Sequence, residues 1–194
     1  MRKLRTIDMT LAAMFVALMA IGANITSWAP FLQIGGIPLS MQPFFTILAG
    51  LLLGSRLGSI SMFVYMLVGL AGAPIFAGFS GGIGSLFKLS GGFIISYIIA
   101  AYVVGKIMER QEKPKFPTFL FASFVGIVLI YVIGTNYMYL AAKVWLALPL
   151  TYSAVWKTMT WFMVKDLVFT IIGAVIAPRI YQAVRTNPSY SRTA

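Results

Sequence analysis

Neither cysteine nor histidine occurs anywhere in the 194 residues. Without cysteine there can be no disulfide, thiolate metal site or cysteine nucleophile. Without histidine the commonest general base and metal ligand is missing as well. Acidic side chains are almost absent too: Asp8, Glu109, Glu112 and Asp166 are the full set, too few and too scattered to hold a hard cation. No metal site and no cofactor is expected, and an intramembrane enzyme or lipid-modifying protein would have to work from one deep acid. Charge of either sign is scarce. Charged residues make up 10% of the chain, against about 25% in soluble domains.

Apolar residues fill the gap. They form 60% of the sequence, and mean hydropathy is +0.91. They recur in runs approaching the roughly 20 residues that a bilayer span needs. The sequence predicts an all-α membrane protein, a single domain over residues 1–194, with about six transmembrane helices at 9–28, 43–54, 58–74, 91–109, 117–142 and 156–180. The second run is short for a full crossing. The first follows a basic start and is expected to be retained as a helix, since no Ala-x-Ala-like site is followed by a soluble mature chain.

The net charge of +11 sorts by topology. With both termini cytoplasmic, Arg2, Lys3, Arg5, Arg56, Lys106, Arg110, Lys113, Lys115, Arg179, Arg185 and Arg192 lie inside. Lys88, Lys143, Lys157 and Lys165 lie outside or in the outer part of the last helix. The bias follows the positive-inside rule for a multi-pass protein of the cell membrane, so no nucleic-acid partner is needed to explain it. The outer segments Trp28–Gln42 and Ala73–Ser90 are long, rich in glycine and proline, and apolar. Loops exposed to water are usually polar, so these are expected to fold back as a cap over a ligand cavity.

Asp166 is the outstanding candidate. It lies about 13 Å along the last helix from Lys157, where an unpaired carboxylate costs several kcal/mol and usually marks a functional path. The alternative is a structural ion pair, although Lys165 should project about 100° away around the helix. The segment Gly78–Gly84 lacks the spacing of a phosphate loop. It is either a flexible turn or a backbone-lined cradle, with Ser80, Gly81 and Gly82 at its centre. Lys88 reaches either headgroups or a ligand anion. Asn136, Tyr137 and Tyr139 line a cavity or belong to an aromatic belt, and Trp145, Trp156 and Trp161 carry the same two readings. Ala13 and Ala17, continued by Ala20, make a small-xxx-small face that permits close helix approach, either internally or to a partner protein.

Two stretches carry a family likeness. IPLSMQPFFTILAGLLLGSRLG (37–58) resembles the P-[IL]-[ST]-x-Q…A-G-x-x-L-G-x-[RK]-x-G segment of BioY proteins. GLAGAPIFAGFSGGIG (69–84) with SGGF (90–93) is similar to their second signature. BioY proteins are the biotin-binding S components of energy-coupling-factor (ECF) transporters. The resemblance implies a six-helix substrate-binding subunit, itself without enzymatic activity, with an outward-facing biotin pocket. It also implies that Ala13 and Ala17 meet a transmembrane coupling subunit that rests on two cytoplasmic ATPases. Asp166 matches the family's acidic position in the sixth helix. Lys165 stands where the family has glycine and Phe169 where it has lysine, so Lys88 or Lys165 is left to meet a ligand carboxylate.

The residues suit such a ligand. Biotin offers two ureido N–H donors, an apolar ring and an anionic tail. Asp166 supplies an acceptor; Gln42, Ser80 and the glycine loop supply polar groups; the lysines supply a cation. A related acid, lipoate or dethiobiotin, fits the same reasoning. An autonomous channel would need polar rings along a pore, which the sequence lacks.

Overall fold

The structure is a computed structural model that describes residues 5–27, 33–34 and 37–185. Its elements in chain order are α1 (Thr6–Asn24), the two-residue strands β1 (Gln33–Ile34) and β2 (Ile37–Pro38), α2 (Gln42–Leu70), a 3₁₀ turn at Ile83–Ser85, α3 (Gly91–Glu109), α4 (Phe116–Val144) and α5 (Tyr152–Arg185). The strands pair antiparallel, Gln33 opposite Pro38 and Ile34 opposite Ile37. Among the described residues, five helices are long and apolar enough to cross a membrane. Helices suit that solvent because every backbone hydrogen bond closes within the segment.

The count differs from the expected six because the spans read at 43–54 and 58–74 are one element, α2, interrupted at Gly54. Gly54 has φ 82° and ψ −178°, a conformation essentially reserved for glycine, and the chain doubles back there. An unbroken helix would hold Gln42 and Tyr65 about 35 Å apart. Instead the Gln42 amide donates to the Tyr65 hydroxyl at 2.9 Å, and the Thr46 hydroxyl reaches Met62 Sδ at 3.5 Å. The two arms of α2 therefore run side by side.

The second arm begins with an orphaned backbone donor, as any helix does. The Ser55 N–H donates to Glu109 Oε1 at 2.7 Å, and the Ser55 hydroxyl lies 2.8 Å from both carboxylate oxygens. Glu109, at the end of α3, thus caps the arm across the bundle. Gly105 makes this contact possible: a Cβ there would sit 2.1 Å from the Ser55 nitrogen. Proline at the first turn of α2 and of α4 costs no hydrogen bond, since that N–H has no helical partner.

The core runs through all five helices. Phe15 and Met19 of α1 join Leu51, Met62 and Tyr65 of α2, Val104 of α3, Ile130 of α4 and Met159 of α5. The outer faces of α4 and α5 expose Phe121, Phe124, Trp161, Val164 and Val168, as helices facing lipid do. Boundaries shift modestly from the sequence reading. α1 ends at Asn24 rather than near 28; the Asn24 amide donates to the Ala20 carbonyl at 3.0 Å and its oxygen accepts from the Phe79 N–H at 2.7 Å. α5 extends beyond both expected ends.

Of the expected cap over 28–42, residues 28–32 and 35–36 lie outside the described residues. The 73–90 segment does fold onto one end of the bundle. Phe76 is buried against Tyr65, ring centroids 5.4 Å apart. Phe79, Ile83 and Phe87 stay exposed, contrary to the expectation that the apolar side chains of this segment are covered.

Candidate ligand cavity

At the end of the bundle away from Glu109, the start of α2, the 73–90 segment and helices α3, α4 and α5 enclose a cavity of about 570 Å³, within the usual range for small-molecule sites. Its apolar wall includes Phe76, Phe93, Ile94, Met159 and Phe162. Its polar groups include Ser40, Gln42, Ser80, Ser85, Lys88, Tyr97, Tyr131, Lys165 and Asp166.

Asp166 is 3% exposed and sits where α4 and α5 meet. The Tyr131 hydroxyl donates to Asp166 Oδ2 at 2.7 Å, and Lys165 Nζ lies 2.6 Å from Oδ1. Oδ1 is buried and takes no hydrogen bond of its own within the protein, so an ion-paired oxygen is left able to accept from a ligand N–H. Such charge-assisted bonds are among the strong ones. Lys165 also donates to the Ser40 carbonyl, which ties α5 to the chain entering α2, and its ammonium is 5.9 Å from the centre of the Phe169 ring. The reading of Lys165 as a poor partner is corrected here. Its four-methylene stem is long enough to bring the ammonium to the neighbouring carboxylate.

The structure brings five of the nine sequence-predicted ligand residues to the cavity wall: Gln42, Ser80, Lys88, Lys165 and Asp166. Gln42 is held by Tyr65, whose own hydroxyl donates to the Ile75 carbonyl at 2.9 Å, so its amide is oriented by the scaffold. The Ser80 hydroxyl is turned to the Ala77 carbonyl at 3.0 Å. Gly81 and Gly82 do not line the cavity but hold the loop's shape. A Cβ on Gly81 would meet the Ala73 carbonyl at 2.4 Å, and the Gly82 N–H donates to the Gly69 carbonyl at 2.7 Å.

Asn136 and Tyr137 are also away from the cavity. Asn136 is exposed and bonds the Val132 carbonyl and the Tyr152 hydroxyl. Tyr137 braces the 73–90 segment by donating to the Leu86 carbonyl at 2.6 Å, as Trp145 does to Phe87. Tyr139 packs against Tyr152 and Trp161 is exposed. Ala13 and Ala17 are exposed on α1, while Ala12, Phe15 and Met19 face the core.

Tyr97, Tyr131 and Ser40 were not singled out from the sequence. Tyrosines in apolar helices read as belt residues. Tyr131 and Asp166 are 35 positions apart, which leaves no local spacing that would pair them.

The model of the BioY family matches residues 1–186. BioYB of Bacillus subtilis (strain 168) is 56% identical over 191 residues, 98% of this chain and 96% of that protein. The biotin transporter BioY of Thermotoga maritima is 30% identical over 169 residues, 87% of this chain and 92% of that one. A crystal structure of the S-component for biotin from an ECF-type ABC transporter superposes with a TM-score of 0.75 at 21% identity, covering 93% of this chain and 95% of that one. At that identity the likeness concerns the fold. The fold, the match along nearly the whole sequence and the identity to these relatives agree, and the chain belongs to the BioY family.

Proposed function

We propose that this protein is the substrate-binding subunit of an ECF-type importer and takes biotin into its cavity from the outer face of the cell membrane. The observation that carries the reading is the Tyr131–Asp166–Lys165 cluster, a buried carboxylate in the wall of a cavity of suitable size whose other side is aromatic and aliphatic. Asp166 Oδ1 accepts from the ureido N–H groups, Phe76, Phe93 and Phe162 cover the apolar ring, and a lysine meets the anionic tail. The family relatives with biotin in their names support that ligand.

In this reading the two arms of α2 count as separate passes. The single membrane domain then has six helices, and both termini lie on the cytoplasmic side. The protein performs no catalysis. Ala13 and Ala17 face a transmembrane coupling subunit, and two cytoplasmic ATPases supply the energy for uptake.

The test is to purify the protein, identify any retained small molecule by mass spectrometry, and titrate the emptied protein with biotin, dethiobiotin and lipoate. Saturable binding of biotin at low concentration is expected. Preferential binding of lipoate or dethiobiotin would replace biotin as the ligand, and binding of none would refute the transport reading.

A further inference from the structure

We infer that Lys88, and not Lys165, receives the anionic group of the ligand, while Lys165 is a positioning residue for Asp166. The inference rests on the cavity being the biotin site and adds to it the division of labour between the two lysines.

Among the described residues, three charged side chains line the cavity: Lys88, Lys165 and Asp166. They sum to one positive charge, the complement of a mono-anion. Lys165 is already committed. Its ammonium is ion-paired with Asp166 Oδ1 and donates a hydrogen bond to the Ser40 carbonyl. Its side chain is only 20% exposed. Drawing it onto a ligand anion would strip Asp166 of its counter-charge in a dry site, and removing one member of a buried pair is strongly destabilising.

Lys88 differs on each point. It is exposed at the cavity rim, in the stretch between the 3₁₀ turn and α3. Among the described residues its ammonium makes no hydrogen bond or ion pair. It lies on the 73–90 segment, whose backbone is braced by Tyr137 and Trp145, so the cation is carried on a fixed support. An anion at the rim pairs with Lys88 without breaking any contact that the protein makes. A ligand whose donors reach Asp166 and whose anionic tail points outward satisfies both ends at once.

The alternative for position 169 is closed in this chain. Phe169 packs on Phe44 of α2, ring centroids 6.1 Å apart, and does not line the cavity.

The experiment compares biotin with biotin amide, the same ring system without the charge, binding to full-length protein in detergent or nanodiscs. Wild type should prefer the acid roughly tenfold or more, the scale of one charge-assisted contact. Lys88→Ala should weaken biotin to the level of the amide and leave amide binding unchanged, and Lys88→Arg should restore the preference. Lys165→Met should weaken acid and amide alike, because its effect passes through Asp166. Lys143→Ala, an exposed lysine away from the cavity, controls for general charge and should change neither.

If Lys88→Ala keeps the acid preference, or Lys165→Met erases it, the assignment is overturned while the biotin site stands. Equal binding of acid and amide by wild type also overturns it, since no anion subsite then exists. If wild type binds neither compound, the biotin reading itself fails and takes the assignment with it.

Discussion

At the scale of single residues, the cavity depends on how one carboxylate is held. The Tyr131 hydroxyl occupies Asp166 Oδ2 and leaves Oδ1 to Lys165. Asp166→Asn keeps the shape but loses the charge-assisted bond and brings in competing N–H donors. Biotin affinity should fall roughly ten- to a hundredfold, or about 1.5–3 kcal/mol, as read by calorimetric titration. Wild-type affinity in this variant would reduce Asp166 to a structural ion-pair member. Tyr131→Phe should weaken binding by a smaller factor, and that loss should vanish when Asp166 is already Asn. A double-mutant cycle measures this coupling, and additive losses would show that Tyr131 acts elsewhere. Asp166 was legible in the sequence because a lone acid within an apolar run is costly wherever it lies. Its partners were harder to read. Tyr131 is distant in sequence, and the reach of Lys165 depends on side-chain length rather than on helical angle.

At the scale of elements, the unusual piece is α2, whose arms fold against each other at Gly54. Gly54→Ala meets two obstacles. Its φ of 82° is strained for any side chain, and the added Cβ would lie 2.7 Å from Glu109 Oε1. The cost should be on the order of 1–3 kcal/mol, seen as a lower thermal unfolding midpoint in detergent. An unchanged midpoint would mean that the break does not depend on this conformation. The sequence pattern resolved both arms as apolar runs separated near residues 54–58, and α3 was read at its observed bounds. The cap from Glu109 was not legible, since it joins residues 54 positions apart across two helices. α1 shows the opposite case. Its small-residue spacing was plain from sequence, but whether it faced inward was not, and the structure leaves Ala13 and Ala17 exposed. Ala17→Trp should therefore leave biotin binding nearly intact and abolish ATP-driven uptake by the assembled transporter, because close helix crossings accept only small residues. Normal uptake by the stably inserted variant would remove this face from the proposed docking surface.

For the whole molecule, the two ends of the bundle differ in charge and in architecture. One end carries the Gly54 turn, Glu109 and the connection from α3 to α4. Arg56, Lys106, Arg110, Lys113 and Lys115 gather there in sequence. The other end carries the cavity and the 73–90 segment, with Lys88 and Lys143 nearby in sequence. Basic residues are retained on the cytoplasmic side, so the Glu109 end should face inward and the cavity outward, where a nutrient would arrive. The absence of cysteine makes this directly testable, since any introduced thiol is the sole target. Single cysteines at Gln111, exposed in the α3–α4 connection, and at Ile83, 67% exposed on the 73–90 segment, should respond oppositely to an impermeant thiol reagent added to sealed cells. Ser85 in the same segment is buried and would give a misleading silence. Labelling is expected at position 83 in intact cells and at 111 only after the membrane is permeabilised. Labelling at 111 in sealed cells would invert the protein and turn the cavity toward the cytoplasm. The ligand-binding chemistry would then stand, but uptake from outside would lose its entry site.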